Sequence, residues 1–203
     1  MEQIKEPIGL QLEFAMHYPS ITLASSSQNR RLLLENGGTK VNVYIPDIDE
    51  SLRCNNPEDA VMDVAKRKLI AYMESKEFNP DIPAISADTM VLIDNTLLGK
   101  PRHNDMARKM LEAESGRTQT VITGSGLYLP QTDPIFFYDV AEVVFKSLTK
   151  KEINDYVATG EPIGAAGAYR IQKTGYKLVD RIIGDWTTVV GLPLKRLIEY
   201  KKA

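Results

Sequence analysis

Asp88 lies between two apolar runs, Ala84-Ile85-Ser86-Ala87 and Met90-Val91-Leu92-Ile93, with small Ala87 before it and hydroxylic Thr89 after it. A carboxylate so placed sits at a sheet rim, is buried with a partner, or caps its own backbone in a turn. Glu50 closes a run of acids, Asp47, Asp49 and Glu50, which reads as a solvated loop or as oxygen ligands for a hard cation. Lys68 stands beside Lys66 and Arg67 in an amphipathic stretch, where the plain reading is a solvent-facing charge. Lys100, between Gly99 and Pro101, is on a rigid loop suited to presenting its ammonium to a phosphate. Ser25, Ser26 and Ser27 precede Arg30 and Arg31 at the start of a helix. They cap that helix or, with its free N–H groups and dipole, form an anion site.

Competing chemistries lack their residues. No G-x-x-x-x-G-K-[ST] loop occurs, Gly124-Ser125-Gly126 lacks the third glycine of a dinucleotide fingerprint, and there is no G-x-S-x-G elbow. One cysteine, Cys54, excludes an internal disulfide framework and a multi-cysteine zinc site. With only His17 and His103 as histidines, any metal is expected to be a hard cation on carboxylate oxygens.

The elements that must position these groups can be read from periodicity and punctuation. Ile21–Ala24 is a buried strand running into the serine turn, and the following helix stops at Gly37-Gly38. Val41–Pro46 is a second strand leading to the acids. A long helix starts at Asn56-Pro57-Glu58-Asp59, and its apolar positions Ala60, Val61, Val64, Ala65, Leu69 and Tyr72 keep a 3.6-residue period. Two runs flanking Asp88 follow, then a turn at Asp94-Asn95, a helix over Asn104–Glu114, and long strands over Val121–Leu129 and Ile135–Phe145. Thr149-Lys150-Lys151-Glu152 is a capping box. After a Gly/Ala-rich loop, strands are expected at Lys177–Ile183 and Thr187–Val190, and a last helix after Pro193. This alternation predicts an α/β fold, a mixed sheet with flanking helices.

The 203 residues carry 25 Lys+Arg against 27 Asp+Glu, a net charge of −2, which argues against a globally basic nucleic-acid binder. At 43% hydrophobic residues the chain can bury a core. No run approaches the ~20 apolar residues of a membrane span. The first twenty residues lack a clean apolar region and a convincing cleavage site. A soluble cytoplasmic protein with no nucleic-acid or membrane partner is the expectation.

The order of these segments is more specific than any of them alone. LASSSQNRRLLLENGG, PDIDES, VAKRK, SADTMV, LLGKP, SGRTQTVITG, YVATGEPIGAAGAYRIQ and RIIGDWTTVVGLPLKRL follow one another from Ile21 to Tyr200. In that order they resemble the Maf family of nucleotide pyrophosphatases. The resemblance implies an elongated, two-lobed, inosine-triphosphatase-like fold with a central cleft, commonly a homodimer. It leaves residues 1–20 as an N-terminal extension and makes 21–203 one catalytic domain. It implies hydrolysis of a nucleoside triphosphate to the monophosphate and pyrophosphate with a divalent cation, Mg²⁺ or Mn²⁺. Asp88 matches the aspartate of the A-D-T motif, taken as the proton acceptor for water. Glu50 matches an acid implicated in catalysis and metal binding, so Glu50 and Asp88 are the expected metal ligands. Lys68 and Lys100 match the lysines of the A-x-x-K helix and the G-K-P loop, and Arg30 the second arginine of S-x-R-R. Thr89 and Gln172 match positions associated with substrate choice, in the branch that prefers dTTP and UTP. Asp88, Glu50 and Lys68 are thus the expected catalytic set, and Ser25, Ser27, Asn29, Arg30, Thr89, Lys100 and Gln172 the expected substrate ligands.

Some positions depart from the motifs. Asn29 replaces the first arginine and Gln28 the preceding proline of S-x-R-R, Ser86 the glycine before A-D-T, Gln119 a histidine, and Gly164-Ala165 an Asp-Lys pair. Loss of two cations leaves room for a second reading: a nucleotide-binding regulatory protein of low or no activity, for example in cell-division control. The intact acids and Lys68 favour the enzyme.

Overall fold

The computed structural model describes residues 6–94 and 96–202. Among these residues seven strands form one mixed sheet: β1 Ser20–Ala24, β2 Lys40–Tyr44, β3 Ala84–Ile93, β4 Thr96–Leu98, β5 Thr118–Tyr128, β6 Ile135–Phe145 and β7 Val179–Ile183. Their order is β2-β1-β3-β5-β6-β7, with β4 paired to β3. Among the described residues seven helices accompany them: α1 Ile8–His17, α2 Gln28–Asn36, α3 Pro57–Met73, α4 Asn104–Glu114, α5 Lys150–Ala158, α6 Trp186–Val190 and α7 Leu194–Lys202. The chain divides into two compact units, and three of the dividing points fall inside β3, β5 and β6.

One unit comprises Pro7–Thr89, Ile122–Asp139 and the chain from Gly191 onward. Here β1 pairs in parallel with β2, from Ser20↔Lys40 to Ala24↔Tyr44, and with β3, from Thr22↔Ala84 to Ala24↔Ser86. Parallel neighbours need crossovers, and α2 and α3 supply them. The Asn56 side chain accepts from the Asp59 N–H, Pro57 occupies the first turn, and Glu58 and Asp59 face the dipole, so α3 begins where its sequence directs. Its buried stripe is Ala60, Val61, Val64, Ala65, Lys68, Leu69 and Tyr72. Gly124 on β5 lets that helix in: a Cβ there would lie 2.4 Å from the carbonyl carbon of Val61. Leu69 and Tyr72 pack with Ala24, Ala84 and Tyr128, and Phe78 stands edge-on between the Tyr72 and Tyr128 rings. Within the expected N-terminal extension lies α1. Its Phe14 stacks on Tyr18, whose hydroxyl donates to the Leu197 carbonyl of α7 at 2.8 Å. Residues 1–5 of the expected extension lie outside the described residues, as does Asn95 of the expected turn.

The other unit contains Met90–Val121 and Val140–Val190. Within it β3 pairs antiparallel with β4, and β6 with β7. The capping box opens α5 as read, with the Thr149 hydroxyl accepting from the Glu152 N–H and the Glu152 carboxylate accepting from the Thr149 N–H. Two expectations fail here. Lys177 and Leu178 belong to a 3₁₀ turn, Thr174–Leu178, so β7 begins only at Val179. Thr187–Val190 is helical, within α6. Asp185 overrides the β-branched preference of that stretch by accepting from both the Thr187 N–H (2.8 Å) and its hydroxyl (2.7 Å).

Candidate active site

The two apolar runs around Asp88 are one continuous strand, β3, so the turn reading fails. The last rung between β1 and β3 is Ala24↔Ser86, and Asp88 and Thr89 lie just beyond it. The chain places β2 and β3 on opposite sides of β1. Ligands of open α/β sheets bind outside the carboxyl ends of the strands at such a reversal of order. Neighbouring strand residues point to opposite faces. Ser86 and Asp88 therefore face α3: the Ser86 hydroxyl donates to the Ala65 carbonyl at 2.6 Å, and Asp88 accepts from Lys68 at 3.0 Å. Thr89 points to the other face.

Lys68 is not the solvent-facing charge its neighbours suggest. It is 5% exposed and pairs through one Nζ with Asp88 Oδ1 at 3.0 Å and Glu50 Oε1 at 3.1 Å. A desolvated ammonium needs such partners, and in turn it fixes both carboxylates about a single point. The Asp88 side chain remains 19% exposed and that of Glu50 56%, so water can reach both. The strand reading of 41–46 overran by two residues, since β2 ends at Tyr44. Glu50 lies on a segment without regular structure between β2 and α3.

On the second face a buried arginine organises the serine turn. Ser27 caps α2 by accepting from the Arg30 N–H, and Ser25 Oγ accepts from the Ser27 N–H at 3.2 Å. Arg30 Nη1 donates to Ser25 Oγ (3.0 Å), Nη2 to Thr89 Oγ1 (3.0 Å) and Nε to the Gly191 carbonyl (2.7 Å). Thr89 also shares a 2.9 Å hydrogen bond with the hydroxyl of Thr123 on β5. Burial pulls the Arg30 guanidinium below its ordinary pKa, opposed by the Asp88 and Glu50 carboxylates; an arginine so shifted is still a cation. Asn29 is half-buried on the same turn. Glu50, Lys68, Asp88, Ser25, Ser27, Asn29, Arg30 and Thr89 thus all belong to one unit, at the carboxyl ends of β1 and β2 and the N-terminus of α2.

Lys100 and Gln172 belong to the other unit. Lys100 is exposed on the loop between β4 and α4, and Gln172 is half-buried in the turn before Thr174–Leu178. Sequence reasoning missed Thr123 and Gly191. Gly191 sits at φ +108°, and a Cβ there would fall 2.9 Å from Thr89 Oγ1 and 3.2 Å from Arg30 Nε. The only signal was a glycine followed by Leu192-Pro193 after an apolar run; Thr123 carries none. Among the described residues no three His, Cys, Asp or Glu side chains gather as a metal site. The converging pair of Glu50 and Asp88 is still a fitting donor set for a hard cation, which takes one or two carboxylates and completes its shell with substrate phosphates and water.

A helix N-terminus and two cations beside converging carboxylates suit an anionic substrate. Residues 20–202 match the family model described as Maf-like protein, and the chain belongs to the Maf family. A dTTP/UTP pyrophosphatase of Bacillus cereus (strain B4264) is 38% identical over 183 residues, 90% of this chain and 94% of that relative. A protein of the same name from Bacillus thuringiensis subsp. konkukian (strain 97-27) matches to the same extent. The solved Ham1 protein of Staphylococcus aureus aligns with 90% of this chain and 98% of its own at 13% identity, with a TM-score of 0.47.

Proposed function

We propose that this protein hydrolyses a nucleoside triphosphate, dTTP or UTP being the first candidates, to the monophosphate and pyrophosphate. The observation that carries this reading is the pair of Asp88 and Glu50 fixed by buried Lys68 at the β1/β3 switch point, beside the N-terminus of α2. The relatives' names supply the choice of nucleotide. Water held against Asp88 gives its proton to the carboxylate as its oxygen bonds to the α-phosphorus. The bond from that phosphorus to the bridging oxygen breaks, and pyrophosphate departs with the electron pair. Lys68 keeps the Asp88 carboxylate oriented for this transfer. The α2 N–H groups and the Arg30 cation offset phosphate charge. Glu50 and Asp88 would hold a divalent cation, which when bound supplies further positive charge against the phosphate oxygens. The assignments of Lys100 to the phosphates and Gln172 to the base, and a homodimer, rest on the family resemblance, and a cytoplasmic setting on the sequence composition; among the described residues no helix is long and apolar enough to cross a membrane.

The test is a panel of nucleoside triphosphates assayed with Mg²⁺, with Mn²⁺ and with chelator, products being identified by chromatography. Turnover of pyrimidine triphosphates that disappears with chelator is expected. Binding without turnover of any nucleotide would instead favour the regulatory reading that Asn29 motivates.

A further inference from the structure

Arg67, next to Lys68 on α3, binds the Glu50 segment through its backbone. Its Nη1 donates to the Asp49 carbonyl and its Nη2 to the Ser51 carbonyl at 2.8 Å, so the two carbonyls flanking Glu50 are held by one guanidinium. The guanidinium is fixed in its turn: Nε and Nη2 both reach Asp63 Oδ2 one helical turn earlier, at 2.9 and 2.8 Å. The Arg67 side chain is only 15% exposed, unlike an ordinary surface arginine. The segment it holds has no strand or helix of its own. Besides these bonds it has a local turn, in which Asp49 accepts from the Ser51 N–H (2.9 Å) and hydroxyl (2.6 Å), and an exposed ion pair from Arg53 to Asp49 at 3.6 Å. Among the described residues the half-exposed Glu50 side chain pairs with Lys68. A planar fork can bridge two carbonyls and a carboxylate at once, which a lysine ammonium at the end of a flexible stem cannot do with fixed geometry.

We propose that Arg67 is the positioning residue for Glu50, acting through the carbonyls of Asp49 and Ser51 to hold that carboxylate at the site. This rests on the reading of Glu50 as part of the active site, and it goes beyond that reading by assigning the residue that places it. Consecutive residues of α3 then serve one acid: Arg67 grips its backbone and Lys68 its side chain.

The test combines kinetics with hydrogen exchange on the full chain. Arg67→Lys keeps charge and helix propensity; Arg67→Gln is the second variant should the first fail to fold. Loss of charge-assisted hydrogen bonds predicts a fall in kcat of roughly 10–100-fold on UTP, with KM changed much less. In a Glu50→Gln background the same Arg67 substitution should cost no more than about twofold, because groups acting through one another are not additive. Amide exchange should accelerate over 47–55 while β1 and the remainder of α3 keep their protection. An equal fall in kcat in both backgrounds, or no fall in either, would overturn the assignment. If the unmodified protein turns over no nucleotide, the proposed function fails separately; exchange then decides alone, and unchanged protection over 47–55 contradicts the positioning role.

Discussion

Replacing Asp88 by asparagine keeps the shape of the side chain and its place on β3 but removes the proton acceptor. General-base contributions are ~10²–10⁴-fold, so kcat should fall by that factor while the nucleotide dissociation constant, read by calorimetry, stays within a few-fold. A variant with near-normal turnover would transfer the base to Glu50. The identity of these residues was legible in the sequence because the motif order carries it. Their environments were not. Lys68 follows Lys66 and Arg67 in a basic run, yet it lies on the buried stripe of α3, where its pairing with Asp88 and Glu50 satisfies its charge. The hydrogen bond between Thr89 and Thr123 joins residues 34 apart; it exists because β5 is the neighbour of β3, which no local pattern discloses. Arg67 looked like one charge in a basic run because the carbonyls it binds leave no trace in side-chain spacing.

Element boundaries were legible wherever a cap announces them, as at Asn56-Pro57 for α3 and Thr149–Glu152 for α5. They were misread where propensity and capping disagree, as in α6, where Asp185 outweighs two threonines and two valines. Asp88 misled in the opposite direction. A turn-forming residue continues a strand here because Lys68 satisfies its carboxylate and both flanking runs are buried. The connection between α6 and α7 carries its own prediction. Gly191 and Gly38 both have positive φ, +108° and +94°, but a Cβ at Gly38 meets nothing within 4 Å whereas one at Gly191 strikes Thr89 and Arg30. Each glycine-to-alanine change should cost on the order of 1–3 kcal/mol of stability from backbone strain, measured by urea unfolding. Only Gly191→Ala should also lower kcat/KM. Equal kinetics in the two variants would show that the Gly191 carbonyl does not hold Arg30 in a working position.

For the whole molecule, the sequence announced a mixed α/β sheet with flanking helices but not the strand order β2-β1-β3-β5-β6-β7, since pairing between distant strands is decided by packing. Stability should respond to pH through Glu114, at the end of α4, whose side chain is fully buried. Burial holds its carboxyl well above the usual carboxylate range, with the Gln119 amide opposing. The folded chain therefore keeps this proton more tightly than the unfolded chain. The stabilisation is complete below the ordinary glutamate pKa and is lost as pH rises through the raised one. Glu114→Gln should accordingly flatten the decline of the unfolding free energy with rising pH, measured by denaturant titration from pH 4 upward; an unaltered slope would remove Glu114 as its source. The central claim, that water directed by Asp88 attacks the α-phosphorus, is met most directly by hydrolysing UTP in ¹⁸O-water and locating the label by mass spectrometry. The label should appear in UMP and be absent from pyrophosphate. Label in pyrophosphate, or release of UDP with labelled orthophosphate, would contradict it.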